Sequence, residues 1–352
     1  MKLFILIATF IISFILTPRL IKLASRLSIT HSREDGKVSS RGAPLLGGLS
    51  ICVSFLVTTA LAFLLSQGEM LGEYDYNYLG IVLGGILMTV LGIYDDTRGA
   101  SFHLKLAVQL IAALVLIGCG YRITLFTNPL AGTVEIGSWG IPILIIWLIS
   151  LPNALSLINR IDGLACGIAA ICGITIFFAS LNGPPFVPII ALALSAGCVG
   201  FLRYNFYPAR IFLGSTGTFF LGFVLAAVAV QGSFKVTAAI SLTLPLLALG
   251  IAIFSYIIRV FGNKSTVPPK RQLHNRLLNL GYSPKQTVLI LYLLQANLGV
   301  IALVMAEAGK VLALAVFFLV GSMMYILFTI MNDYRERLKA AEEDIQPLSK
   351  KK

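Results

Sequence analysis

Charge is what this sequence has least of. Only 12% of its 352 residues are Asp, Glu, Lys or Arg, where a soluble domain carries about 25%. So few charges cannot cover a water-facing surface, which excludes a chain of soluble domains. Acidic residues are the scarcer sign, 15 against 27 basic, and there are three histidines. No internal repeat, low-complexity stretch or domain linker interrupts the chain. No small-residue cleavage site follows the apolar stretch from Met1 to Leu16, which therefore reads as a first membrane span and not as a removed signal. Cysteine is also sparse. Cys52, Cys119, Cys166, Cys172 and Cys198 lie inside or at the ends of apolar runs, and none has metal-ligand spacing. They are expected to pack in the core as free thiols.

Apolar residues are abundant, at 57%. They gather in runs of about 17–25 residues, the length that crosses a hydrocarbon core. Such runs fall near 3–24, 47–65, 78–94, 104–120, 139–155, 163–180, 187–203, 216–231, 237–258, 287–305 and 311–331. The expected fold is an all-α integral membrane protein with about eleven transmembrane helices. They form a single domain over residues 1–331, and a basic cytoplasmic tail follows over 332–352. The segment from Tyr121 to Ser138 carries Asn-Pro and Ala-Gly-Thr turn signals between alternating residues, which predicts a small hairpin near 121–138.

The net charge of +12 has an explanation other than nucleic acid, because Lys and Arg collect in cytoplasmic loops. With the N-terminus outside and the C-terminus cytoplasmic, 23 of the 27 basic residues fall on the inner side. Only Lys2, Arg122, Lys235 and Lys310 fall on the outer side, where the hairpin would also lie. The opposite orientation inverts this ratio.

The inner gaps are long, irregular and polar. Asp95 and Asp96 end the third span. Adjacent carboxylates at a helix end can hold Mg²⁺ or supply a base. They are also disfavoured there by the helix dipole, so a reading as idle solvent-facing acids is the weaker one. Asn153, Ser156, Asn159 and Asp162 recur at helical spacing between two spans. They suit either a polar edge of a site or a set of caps at a helix break. Phe212-Leu-Gly-Ser-Thr-Gly-Thr218 opens another span. Its free N–H groups form either an anion site or an ordinary Ser/Thr N-cap. The last inner gap holds His274 within a basic run that ends in Arg276, and such a run can grip a pyrophosphate. His31 and His103 are isolated and read as surface groups. Carboxylates, amides, a helix start and cations on one face suit a phosphate-rich soluble substrate meeting a lipid-borne one. The lack of a mid-membrane acid argues against an ion pathway.

These residues resemble the polyprenyl-phosphate N-acetylhexosamine-1-phosphate transferase family. The resemblance runs through Pro44-Leu-Leu-Gly-Gly48, Asp95-Asp96, Asn153 with Asp162-Gly-Leu-Ala165, Gly214-Ser-Thr-Gly217 and Arg276-Leu-Leu-Asn-Leu-Gly281. It is nearer to the N-acetylglucosamine-1-phosphate branch than to the phospho-N-acetylmuramoyl-pentapeptide branch. It implies a bacterial-type inner (plasma) membrane protein of cell-envelope polysaccharide synthesis. A polyprenyl phosphate attacks the sugar-bearing phosphorus of a UDP-sugar, and UMP leaves. The resemblance further implies Mg²⁺ as cofactor, a homodimer, and no nucleic-acid partner. Asp95 and Asp96 take the catalytic and metal positions. Lys37, Asn153, Asn159, Asp162, Ser215, His274 and Arg276 take substrate-binding ones.

The departures from the family pattern concentrate on polar positions. The family's Gly-Asp-Thr-Gly aspartate, a magnesium ligand, is Ser215 here. A family aspartate has become the amide Asn159, with Arg160 beside it. The family's His-x-His-His becomes Gln272-Leu-His274-Asn275, Lys-x-His becomes Lys37-Val-Ser39, and Ser255 stands at a usually acidic place. Three readings remain open: a degenerate relative with weak or no transfer that binds lipid phosphate or nucleotide, a genuine transferase that holds Mg²⁺ through Asp95 and Asp96, and a lipid-binding scaffold or transporter-like protein.

Overall fold

The computed structural model describes residues 2–27, 44–65, 75–123, 125–128, 132–135, 137–232, 277–278 and 281–307. Among them are nine α-helices: α1 (Lys2–Arg26), α2 (Gly48–Leu65), α3 (Asp75–Arg98), α4 (Phe102–Gly118), α5 (Gly140–Ile158), α6 (Leu164–Ala179), α7 (Phe186–Asn205), α8 (Gly214–Gly232) and α9 (Pro284–Glu307). Each coincides with a predicted apolar run. The two remaining runs, near 237–258 and 311–331, lie outside the described residues, as does the tail from 332. Seven of the nine helices are long and apolar enough to cross a membrane, while α4 and α6 are shorter.

Between α4 and α5 lies the expected hairpin. Strands β1 (Leu125–Asn128) and β2 (Gly132–Glu135) pair antiparallel, with Leu125 opposite Glu135. Helices α1 to α8 run alternately up and down, and α9 runs parallel to α6, with Tyr292 near Gly163 and Gly299 near Thr175, so the hairpin marks one end of the bundle. The α3–α4, α5–α6 and α7–α8 connections gather at the other, termed here the loop end.

Helix α8 is the hub. Its residues from 216 to 231 are all buried, and it packs on α3, α5, α2, α6 and α7. A helix apolar on every side needs neighbours on every side. Helices in lipid gain little from apolar contact alone, so they associate where small residues let backbones approach. Three contacts show this. A Cβ on Gly92 of α3 would lie 2.3 Å from the Thr216 Cα, one on Gly48 of α2 would lie 2.2 Å from the Gly217 Cα, and one on Gly222 would lie 2.4 Å from the Cα of Pro152 in α5. Elsewhere hydroxyls join the helices: Ser13 of α1 donates to the Gly197 carbonyl of α7 at 2.8 Å. All five cysteines are free thiols, and four of them are buried. That matches the core-packing expectation.

Candidate active site

Helix α3 continues four residues past its predicted end, so Asp95 and Asp96 lie within its last turn. Their charges are unfavourable beside the helix's own C-terminal carbonyls. Other elements neutralise them. The Asp96 carboxylate sits on the N-terminus of α8. The backbone N–H of Ser215 donates to its Oδ1 at 2.7 Å, and the backbone N–H of Thr216 donates to its Oδ2 at 2.9 Å. The Thr216 hydroxyl adds a third bond to Oδ2 at 2.6 Å. The anion at this helix start is thus a side chain of the protein itself. Gly214 makes the approach possible. Its φ of +70° favours glycine, and a Cβ there would lie 2.4 Å from Asp96 Oδ2.

Asp95 turns the other way. Its Oδ1 accepts the backbone N–H of Ala100 at 2.8 Å and meets the Lys105 Nζ at 2.8 Å. The Ser215 hydroxyl also lies within hydrogen-bonding reach of this carboxylate. The Asp95 side chain is only 10% exposed and that of Lys105 29%, so this is not a loose surface pair. Lys105 is the residue that the sequence reading passed over, counting it only as an inner-side positive charge. A signal was present. Lys105 stands in the first turn of α4, where a cation opposes the helix dipole and calls for an acidic partner. Two misplaced charges, one at the end of α3 and one at the start of α4, cancel at the same corner.

The Pro44–Gly48 motif and the Phe212–Thr218 motif belong to one construction. Phe212 N–H donates to the Pro44 carbonyl at 2.9 Å, Gly47 N–H to the Phe212 carbonyl at 3.0 Å, and Gly48 N–H to the Leu213 carbonyl at 2.9 Å. Between them Leu46 is held at φ +76°, a rare conformation for a bulky side chain. Such strain persists where the surroundings over-determine it, and three backbone bonds do so here.

The polar series that begins at Asn153 does not stay on one helix. Helix α5 ends at Ile158, Asn159 is its C-cap, and Asp162 lies in the turn before α6. Asn153 faces inward: its Nδ2 donates to the Gln109 Oε1 of α4 at 2.9 Å. Asp162 is buried at 4% exposure, and its Oδ2 accepts the Ala209 N–H at 3.0 Å, which ties the α5–α6 turn to the α7–α8 connection. Gly163 follows at φ +81°, and its carbonyl accepts the Tyr292 hydroxyl of α9 at 2.5 Å. Sequence reading also missed Tyr292, which looks like any apolar-run tyrosine until α9 is docked. His103 is exposed, as expected. Lys37, His274 and Arg276 lie outside the described residues, as do His31, Ser39, Ser255, Gln272 and Asn275.

Asp95, Asp96 and Ser215 therefore meet directly, and Asn159 and Asp162 stand at the same end of the bundle. A magnesium ion requires several oxygens in near-octahedral array. A carboxylate offers about four lone-pair sites. Three of those on Asp96 and two on Asp95 are already engaged. Ser215 contributes a neutral hydroxyl, and among the described residues no three His, Cys, Asp or Glu side chains gather as an ion's ligands. Among the described residues free sites remain on both carboxylates, but an ion there would share Asp95 with the Lys105 ammonium and Asp96 with the positive start of α8, and on that ground of charge the corner does not fit it.

The sequence profile of glycosyl transferase family 4 matches residues 78–233, from α3 to the end of α8. The chain is 30% identical over 345 residues to a probable undecaprenyl-phosphate N-acetylglucosaminyl 1-phosphate transferase of Bacillus subtilis, covering 95% of this chain and 94% of that protein. It is 28% identical to a decaprenyl-phosphate N-acetylglucosaminephosphotransferase of Mycobacterium leprae, over 80% of this chain and 78% of that protein. A phospho-N-acetylmuramoyl-pentapeptide-transferase of Halalkalibacterium halodurans matches at 31% over 64% of this chain and 73% of that one.

Proposed function

The chain belongs to glycosyl transferase family 4, the polyprenyl-phosphate sugar-1-phosphate transferases, and from that premise we propose that it transfers N-acetylhexosamine 1-phosphate from a UDP-sugar to a polyprenyl phosphate. An oxygen of the lipid phosphate attacks the β-phosphorus of the nucleotide sugar. The bond from that phosphorus to the bridging oxygen breaks, and UMP carries that oxygen away. The loop end faces the cytoplasm in this reading, where the soluble nucleotide is, because that orientation assigns 23 of the 27 basic residues in the sequence to inner gaps. The hairpin then lies outside.

One observation carries this reading. Motifs scattered from residue 44 to residue 216 are hydrogen-bonded to one another at a single end of the bundle, where the half-buried Lys105 side chain brings its ammonium to Asp95. Lys105 orients phosphate oxygens there as a point charge. The Asp96–α8 joint holds the corner rigid, and Asp162 fixes the α5–α6 turn against the α7–α8 connection. Lys37, His274 and Arg276 add cations or a proton donor from the inner gaps.

A second reading has its own support. With Ser215 where the family holds an aspartate, the corner is short of negative charge, as a non-catalytic member that still binds the lipid phosphate would be. Release of UMP from UDP-N-acetylglucosamine by purified chain with polyprenyl phosphate decides between them. Turnover that falls at least about 10-fold in Lys105→Gln, with folding intact, establishes transfer. Specific lipid-phosphate binding with no UMP establishes the non-catalytic reading.

A further inference from the structure

We propose that the Asp95–Asp96 pair of this chain is closed to divalent metal, with the Lys105 ammonium as its resident counter-cation, so that phosphate is bound at the loop end without magnesium. The part concerning phosphate rests on the function proposed above; the part concerning metal does not.

The geometry gives each carboxylate a counter-charge supplied by the protein. Asp96 has the positive end of α8, through two N–H groups and a hydroxyl. Asp95 has Lys105 at 2.8 Å and the Ala100 N–H. A divalent ion bound to Asp96 has only the site that these three donors leave, and it faces the positive end of α8 there. That backbone is closely packed, with Gly92 of α3 against Thr216 and Gly48 of α2 against Gly217, so it has no room to shift toward either helix. An ion bound to Asp95 has to sit near the Lys105 charge, 2.8 Å from the same carboxylate. Ser215 stands between the two carboxylates, with its N–H on Asp96 and its hydroxyl in reach of Asp95. A carboxylate at position 215 is the missing hard ligand. An ammonium is a monovalent substitute for the ion: it neutralises the pair and still presents N–H groups to phosphate.

The test uses the full chain in detergent micelles with Mn²⁺ alone, read by the loss of the free-ion electron paramagnetic resonance signal. The wild type leaves the signal unchanged at concentrations up to about 1 mM. The double variant Lys105→Gln/Ser215→Asp, and Ser215→Asp alone to a lesser degree, take up one ion per chain. Uptake by the wild type that disappears in Asp95→Asn overturns the proposal. So does failure of the folded double variant, checked by its unfolding midpoint and elution volume, to take up the ion. A second arm measures UDP binding in excess EDTA and in MgCl₂. Equal affinities support the proposal, and a gain of about fivefold or more with magnesium overturns it. Wild type that binds neither Mn²⁺ nor UDP upholds closure to metal, overturns the claim on phosphate and counts against the proposed function.

Discussion

At Asp96, three donors from the start of one helix converge on a single carboxylate that ends another. Hydrogen bonds to a charged acceptor contribute about 1.5–3 kcal/mol each, and a side chain capping a helix start contributes about 1 kcal/mol on its own. Asp96→Asn keeps the shape but swaps one accepting oxygen for an NH₂ that faces a donor. It is expected to cost about 2–4 kcal/mol. Thr216→Val removes one donor and leaves both N–H bonds, and is expected to cost about 1 kcal/mol. Unfolding midpoints in detergent check the order: Asp96→Asn must fall further than Thr216→Val. An Asp96→Asn chain as stable as wild type would mean that this carboxylate does not hold the helix start. The sequence made Asp96 conspicuous by its place beside unfavourable carbonyls. It did not show the compensation, because the partner lies 120 residues away and only the packing of α3 on α8 brings it near.

The elements themselves were legible. The bilayer dictates the length of a span, so apolar runs mark α1 to α9 to within a few residues. What fails is the helix end at α3, where two carboxylates look like terminators and the neighbouring helix overrides them. The polar series from Asn153 to Asp162 left two readings open, and the structure takes the caps at a helix break, with Asn159 as the C-cap of α5. Its spacing is helical, yet α5 stops at Ile158. The closeness of α3, α2 and α5 to α8 follows from glycines that mean nothing until their partners are known. Gly92→Ala tests this at the scale of the helix pair. The added Cβ meets backbone at 2.3 Å, so α3 and α8 have to separate and carry Asp96 away from Ser215. The expected loss is about 1–3 kcal/mol, with the loop-end activity reduced. Gly118→Ala, which meets nothing within 4 Å, is the control. It is expected to be neutral, or to stabilise by up to about 1 kcal/mol through helix propensity. Equal effects of the two changes would remove the close-approach argument.

For the molecule as a whole, charge and topology make independent statements that can be set against each other. The up-and-down order of the helices places His103, at the start of α4, at the opposite end from Ser138, which precedes α5. Both residues are exposed. Topology says that they are at opposite ends but not which end faces the cytoplasm. The proposed sense comes from the sequence, in which the orientation with the His103 end inside assigns 23 of the 27 basic residues to inner gaps. A site that joins a soluble nucleotide to a lipid phosphate needs this agreement, because the loop end that carries Lys105 must open to the compartment that holds the nucleotide. Single cysteines at the two positions read it out. Four of the five native thiols are buried, so replacing Cys119 with Ala leaves a quiet background. In intact cells a membrane-impermeant maleimide is expected to label Ser138→Cys and to spare His103→Cys. In inside-out vesicles the pattern reverses. Labelling of His103→Cys from outside would place Lys105 and the Asp95–Asp96 corner away from the nucleotide, and the transferase reading would fail with the orientation.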